Sequence, residues 1–173
     1  MLVGIGTVLK DDLFLTVRIR GGRDPYRIIL DSQLKIPEQS KVIGMSSSKT
    51  LIATTDVAPR DKIERLEKTG VHVLVLESKD GRVDLKAFLS KLGEIGVMSL
   101  LVEGGSQING AFFDENLIDK ILLFLSPRLM GDSQALGIFG GRGVEHLRES
   151  ASVKELSVKK VGGDILIEGY LEG

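Results

Sequence analysis

The residues best suited to chemistry lie in one run, from Glu103 to Gly110, where a carboxylate precedes two glycines and a serine. An apolar segment comes before the run and a helical pattern follows it, which predicts a turn between a buried strand and a helix. Ser106 is placed to cap that helix, and free amides at a helix start favour a phosphate or pyrophosphate. The run contains neither a Walker A loop nor a Gly-x-Gly-x-x-Gly fingerprint. A tight turn without a ligand is the alternative that spacing alone leaves open.

Arg18 stands beside a second glycine pair, Gly21 and Gly22. An arginine next to such a loop can hold a phosphate bidentately, and the alternative is a solvated surface side chain. Glu103 is interpreted as a hydrogen-bond acceptor for a substrate or as a proton-transfer group, and its alternative is a capping carboxylate. We expect no catalytic role for His72 or His146.

Composition removes several classes of function. The chain has no cysteine and two histidines, which excludes disulfides, thiolate catalysis and Cys-ligated metals and predicts no metal site. The formal net charge of −1 gives no support to a nucleic-acid or anionic-membrane partner. No apolar run reaches the ~18 residues of a membrane span, and no signal segment opens the chain. The sequence therefore predicts a cytoplasmic protein without a membrane partner.

Apolar and β-branched runs and helical stripes predict the elements that position these residues. The predicted strands are residues 1–9, 14–18, 26–31, 51–56, 71–76, 99–103, 121–126, 153–161 and 165–171. The predicted helices run from Pro59 to Thr69, from Leu85 to a stop at Gly96, and through Ile108 and Phe112. Residues 131–150 read as a glycine-rich loop.

Alternation of strands and helices in the middle of the chain implies right-handed crossovers and parallel pairing. The last two strands flank Gly162 and Gly163, which predicts a terminal hairpin. We therefore expect an α/β fold with a mixed, mostly parallel sheet flanked by helices and a C-terminal antiparallel hairpin. A length of 173 residues predicts one domain over residues 1–173.

Five motifs in fixed order carry a family resemblance across nearly the whole chain. They are residues 3–12, 15–18, 25–32, 101–105 and 126–131. Together they resemble the reductase domain of the bifunctional riboflavin-biosynthesis deaminase–reductase, which is similar in fold to dihydrofolate reductase. The resemblance implies NADPH-dependent reduction of 5-amino-6-(5-phosphoribosylamino)uracil to its ribitylamino product. The ribosylamine would open to an imine, and a hydride would reach the sugar C1′.

The resemblance also assigns roles to residues and leaves the catalytic group unassigned. It implies substrate contacts for Leu15, Arg18 and Glu103. It implies cofactor contacts for Thr7, Asp11, Ser32, Gly105, Ser106, Gln107, Ile108, Asn109, Gly110 and Ala111. Because the run 105–111 has no acidic residue, we expect NADPH to bind more tightly than NADH. The resemblance further implies a homodimer.

Two departures from the family pattern lead to alternatives. Leu13 stands where the family has proline after Asp11 and Asp12, which loosens that turn. The family's N-terminal strand and its zinc-binding deaminase domain have no counterpart in these residues. One expectation is therefore a partial reductase domain, either truncated or completed by another polypeptide. The alternatives are a non-catalytic NADP-binding or dimerising fragment and a dihydrofolate-reductase-like paralogue with another substrate.

Overall fold

A computed structural model describes residues 1–44 and 49–171. The chain divides into two compact units, Met1–Gly105 and Ser106–Gly173. The single domain expected from chain length stays a prediction. No helix in the described residues is long and apolar enough to cross a membrane.

The first unit is built on a parallel sheet with its helices in the connections between strands. In chain order its elements are β1 (Leu2–Gly4), α1 (Ile5–Asp11), β2 (Arg27–Leu30), α2 (Lys41–Gly44), β3 (Thr50–Thr55), α3 (Arg60–Lys68), β4 (His72–Leu76), β5 (Ser78–Lys79), β6 (Arg82–Val83) and α4 (Leu85–Glu94). Strands β1 to β4 are hydrogen-bonded in that order and are parallel throughout. Strands β5 and β6 form a separate antiparallel hairpin.

The apolar runs of the central strands explain this sheet. All six residues of β3 are buried, as expected for a parallel strand covered on both faces. Val3, Ile29 and Ile52 are aligned across β1, β2 and β3, and all three belong to one buried cluster. That cluster also takes in side chains from α1, α2 and α3, including Val8, Val42 and Leu66.

The second unit combines one helix with an antiparallel sheet. It contains α5 (Ser106–Asp114), β7 (Lys120–Leu125), a short 3₁₀ turn (Leu147–Glu149), β8 (Val153–Val161) and β9 (Asp164–Leu171). The sheet order is β7–β9–β8, and β8 and β9 form the predicted terminal hairpin. The loop predicted over residues 131–150 is confirmed apart from the 3₁₀ turn.

The α/β fold class and most of the predicted elements are confirmed. Strands β2, β3 and β4 lie within one residue of their predicted limits, and α3 follows Pro59 as expected. Helix α4 buries Leu85, Phe88 and Leu92, the stripe that predicted it.

Three predicted strands are wrong. In residues 1–9 only Leu2–Gly4 is extended, because the chain turns at Gly4 into α1, which buries Val8. Residues 14–18 have no regular structure, and Leu15 has a left-handed φ of 51°, outside the range of regular strand backbone.

Residues 99–103 form a single parallel bridge, between Val102 and Leu2, instead of a buried strand. The neighbouring strand β1 has three residues. Of these, Leu2 forms hydrogen bonds to this segment through both its amide and its carbonyl. Its amide donates to the Leu101 carbonyl at 2.8 Å, and its carbonyl accepts from the Glu103 amide at 2.9 Å. Leu101 is 48% exposed, so the segment is an edge and not an interior strand.

Candidate functional site

Three of the predicted site residues follow neighbouring extended segments of the first unit. Gly4 at the end of β1 is aligned with Leu30 at the end of β2. Thr7 comes just after β1, Ser32 just after β2, and Glu103 just after the bridge to β1. These residues therefore share the carboxyl edge of the parallel sheet, where α/β proteins bind their ligands.

Glu103 presents its carboxylate to solvent from a fixed backbone. Its amide is held by the Leu2 carbonyl, while its side chain is exposed. Burial lowers the pKa of the Met1 ammonium group, and the negative charge of Glu103 partly opposes that shift. Glu103 is thus an accessible anion on an ordered segment, suited to accept hydrogen bonds from a ligand.

Ser32 is held by contacts to two other segments of the first unit. Its carbonyl accepts hydrogen bonds from the Thr55 hydroxyl at 2.7 Å and from the Thr55 amide at 3.3 Å. Its hydroxyl oxygen accepts from the Val83 amide at 3.2 Å. A hydroxyl that accepts one hydrogen bond still has its own proton to donate. Ser32 is therefore a positioned donor at the sheet edge.

The residue before it, Asp31, is buried and stabilises the same turn. Its Oδ2 accepts from the Ile36 amide at 2.7 Å, and its carbonyl accepts from the Leu34 amide at 2.9 Å. Its Oδ1 is buried and has no hydrogen-bond partner among the described residues. The turn that carries Ser32 is therefore rigid, although sequence reasoning had given Asp31 no role.

Leu15 and Arg18 lie in the irregular segment that follows α1. Leu15 is 8% exposed and belongs to the core cluster, so it anchors the segment. Arg18 is exposed in a loop whose base is closed by a hydrogen bond from the Val17 amide to Asp24 Oδ1 at 2.9 Å. Arg18 forms no hydrogen bond or ion pair with any residue that the structure describes, so its guanidinium is available to an anion.

Asp11 is the last residue of α1, and its side chain is exposed. Asp11 lies one helical turn after Thr7 in α1. Within residues 1–44 and 49–105, no side-chain hydrogen bond or ion pair joins Arg18 to Thr7, Ser32 or Glu103. The structure thus brings Thr7, Ser32 and Glu103 to one edge. Asp11, on the same helix as Thr7, and Arg18, in the loop that follows, are both exposed.

The glycine turn after Glu103 leaves room for a ligand. A Cβ added at Gly105 would meet nothing within 4 Å. Glycine with open space beside it allows the backbone to approach a phosphorylated nucleotide closely, and with the Ser32 hydroxyl this edge fits such a ligand. Ser106 was expected to cap α5 from the position before the helix. The helix instead begins at Ser106, and Gly105 is the residue before it.

In the second unit, the start of α5 is in contact with a loop that sequence reasoning had not connected to it. The Ser106 carbonyl accepts from the Gly140 amide at 2.7 Å, and Asn109 Nδ2 donates to the Ile138 carbonyl at 3.1 Å. Gly110 is buried, Ile108 and Ala111 are half-buried, and Gln107 is exposed. The amides of a first helical turn have no partner within the helix, so those of α5 remain suited to phosphate.

Two features near the predicted residues were missed. The β5–β6 hairpin contacts Ser32 through Val83, and its turn is Asp80-Gly81, a strong hairpin signal in the sequence. The contact between residues 138–141 and α5 had only a weaker signal, the Gly140-Gly141 pair.

Comparison with known proteins gives one consistent family. The profile of the RibD C-terminal domain matches residues 1–167. The riboflavin biosynthesis protein RibD of Aquifex aeolicus is 38% identical over 168 residues, which cover 96% of this chain and 45% of that protein. The 2,5-diamino-6-ribosylamino-4(3H)-pyrimidinone 5′-phosphate reductase of the same organism is 35% identical over 86% of this chain and 65% of its own length.

Solved structures agree with this match. RibD of Acinetobacter baumannii superposes with a TM-score of 0.82 at 27% identity, over 99% of this chain and 46% of that one. The chain therefore spans less than half the length of the RibD proteins that it matches.

Proposed function

The chain belongs to the RibD C-terminal domain family, and from this we propose that it is an NADPH-dependent reductase of a phosphorylated pyrimidine ribosylamine. The substrate we propose is 5-amino-6-(5-phosphoribosylamino)uracil, and the product is the corresponding ribitylamino compound. The observation that carries the proposal is the Glu103-Gly104-Gly105 turn at the carboxyl edge of the parallel sheet. The Aquifex aeolicus reductase supports a substrate of this class, because its name specifies a ribosylaminopyrimidinone phosphate.

The substrate requires an anion binder and a hydrogen-bond acceptor, and the first unit supplies both. The exposed guanidinium of Arg18 binds the ribose phosphate as a charge-assisted pair. The Glu103 carboxylate accepts hydrogen bonds from amino or hydroxyl groups of the opened ribosylamine. Leu15 fixes the loop of Arg18 by packing in the core.

The cofactor, when bound, supplies a hydride to C1′ of the imine formed by ring opening. The imine nitrogen takes up a proton, which completes the secondary amine. In the first unit Thr7, Asp11 and Ser32 hold the cofactor, with Ser32 donating its hydroxyl proton. Taken by itself, the second unit offers a phosphate group the free amides at the start of α5, and Gln107 is the exposed side chain of that first turn.

We also propose that the protein is a homodimer. The antiparallel sheet of the second unit exposes large apolar side chains, among them Leu122 and Phe124, which leave the same face of β7. Exposed apolar surface of this kind is often covered by a partner. A second copy of this chain satisfies that need and agrees with the family resemblance.

The test is an assay of the purified chain with the phosphoribosylaminouracil and with its non-deaminated pyrimidine, using NADPH and NADH separately. We expect NADPH oxidation that requires a ribosylamine and yields the ribityl product by mass spectrometry. Turnover of dihydrofolate in place of both pyrimidines would support a paralogue with another substrate. Binding of NADPH without turnover of any of them would support a non-catalytic fragment.

A further inference from the structure

The β5–β6 hairpin presents two cations close to a proposed cofactor residue. Lys79 and Arg82 are directly paired across the two strands, so their side chains leave the same face of the hairpin. Both residues are exposed. Like charges placed directly opposite destabilise a strand pair, and an anion bound between them removes that repulsion.

The hairpin is anchored at its base by a hydrogen bond and closes at its tip through a tight turn. Val83 is buried, and its amide donates to the Ser32 hydroxyl at 3.2 Å. The turn residues Asp80 and Gly81 have φ angles of 51° and 74°, which suit a tight two-residue turn. Arg82 is adjacent to Val83 in the chain, so the Ser32 hydroxyl and the Arg82 backbone are fixed relative to each other.

The two cations differ in their surroundings. Hydrogen bonding from the Ala87 amide is the main cause of the lowered Asp84 pKa, and the positive charge of Lys79 contributes to it. Asp84 therefore offsets part of the Lys79 charge. Arg82 has no ion pair with any residue in the ranges 1–44 and 49–171, which leaves it as the stronger attraction for an anion.

We propose that Arg82, assisted by Lys79, binds the adenosine 2′-phosphate of the cofactor and sets the preference for NADPH over NADH. This inference rests on the proposed reductase function. The ligand is a phosphate monoester, whose oxygens match the planar guanidinium of arginine. Ser32 is one of the proposed cofactor residues, and its contact with the Val83 amide fixes the distance between its hydroxyl and the hairpin.

The experiment measures binding to the full 173-residue chain by calorimetry, with four probes. These are NADPH, NADH, adenosine 2′,5′-bisphosphate and adenosine 5′-monophosphate. We expect Arg82→Gln to weaken binding of the two 2′-phosphorylated probes by about ten- to a hundredfold and to leave the other two unchanged. Lys79→Gln has a smaller effect in the same direction. Lys68→Gln removes another exposed cation, on α3, and is the matched control. It should leave the binding of all four probes unchanged.

Two results would overturn the inference while the reductase function stands. One is a preference for NADPH over NADH that persists both in Arg82→Gln and in the variant that combines Lys79→Gln with Arg82→Gln. The other is an equal weakening of NADPH and NADH, which would assign the hairpin to a part that both cofactors share. Failure of the wild-type chain to bind either cofactor would overturn the proposed function together with this inference.

Discussion

The backbone of Gly141 lies directly against Gly110 of α5. A Cβ built on Gly110 would collide with the Gly141 amide nitrogen and the Gly140 carbonyl carbon. The same loop is tied to the helix by the Asp114 carboxylate, which accepts from the Arg142 amide at 3.0 Å. Gly110 is therefore required by contact with a loop distant in sequence and not by its own backbone conformation.

Gly110→Ala should destabilise the protein, because backbone on the facing side cannot move aside as a side chain could. We expect a loss of about 1–3 kcal/mol in the free energy of unfolding, measured by urea denaturation. Gly93→Ala is the control, since a Cβ there meets nothing within 4 Å and alanine favours a helix. Equal stability of Gly110→Ala and wild type would show that the loop does not pack on α5 in solution.

The stability of the second unit should depend on pH through Glu168. Lys159 and Ser157 donate hydrogen bonds to its carboxylate, and Lys120 lies 3.4 Å from it, which lowers the pKa of Glu168 to about 2. A carboxylate with a lowered pKa stabilises the fold above its ordinary pKa of 4.5. This contribution is lost as the pH falls from 4.5 toward 2.

The measurement is the free energy of unfolding against pH for wild type and Glu168→Gln. We expect the variant to be less stable at neutral pH and the difference to disappear near the acid end of the range. Glu145→Gln, which changes an exposed loop carboxylate, serves as control and should follow the wild-type curve. A constant difference between wild type and Glu168→Gln at all pH values would contradict the assignment.

Arg18→Ala should lower kcat/KM by about one to two orders of magnitude, since a charge-assisted hydrogen bond contributes about 1.5–3 kcal/mol. The loss should appear mainly as a raised KM for the ribosylamine, because phosphate binding is similar in ground and transition states. Arg20→Ala in the same loop is a matched control, because Arg20 is also an exposed arginine. A similar loss of kcat/KM in both variants would indicate general electrostatic attraction of the substrate by the loop and not a specific phosphate site at Arg18.

Glu103→Gln keeps the shape of the side chain and removes its charge. We expect lower turnover with an unchanged fold and unchanged NADPH affinity, measured by steady-state kinetics, circular dichroism and calorimetry. Full turnover together with greatly weakened NADPH binding would assign Glu103 to the cofactor site instead of the substrate site.

The exposed sheet of the second unit predicts self-association. Phe124 is 56% exposed on β7, and light scattering at micromolar concentration should give the mass of a dimer. Phe124→Lys should shift the protein toward monomer because a charge then replaces apolar contact area. Val144→Lys in the exposed loop of the same unit is the control. A wild-type monomer at that concentration would argue against the dimer.

Much of the fold could be predicted from local patterns. The apolar runs of β2, β3 and β4 and the Leu85, Phe88 and Leu92 stripe of α4 depend on residues close in sequence. The motif around Glu103 was likewise recognisable from residue order. Residues 14–18 were not, because the left-handed Leu15 packs among side chains that are distant in sequence, which no local pattern reveals.

The sequence by itself determined the α/β class, the family and the residue types available for chemistry, since these depend on composition, periodicity and motif order. Only the tertiary structure decided that Ser32 is fixed by Thr55 and Val83, and that Gly110 lies under Gly141. These contacts join residues that are 23, 51 and 31 positions apart. No local propensity encodes such pairs, because they form only where packing of the whole unit brings the segments together.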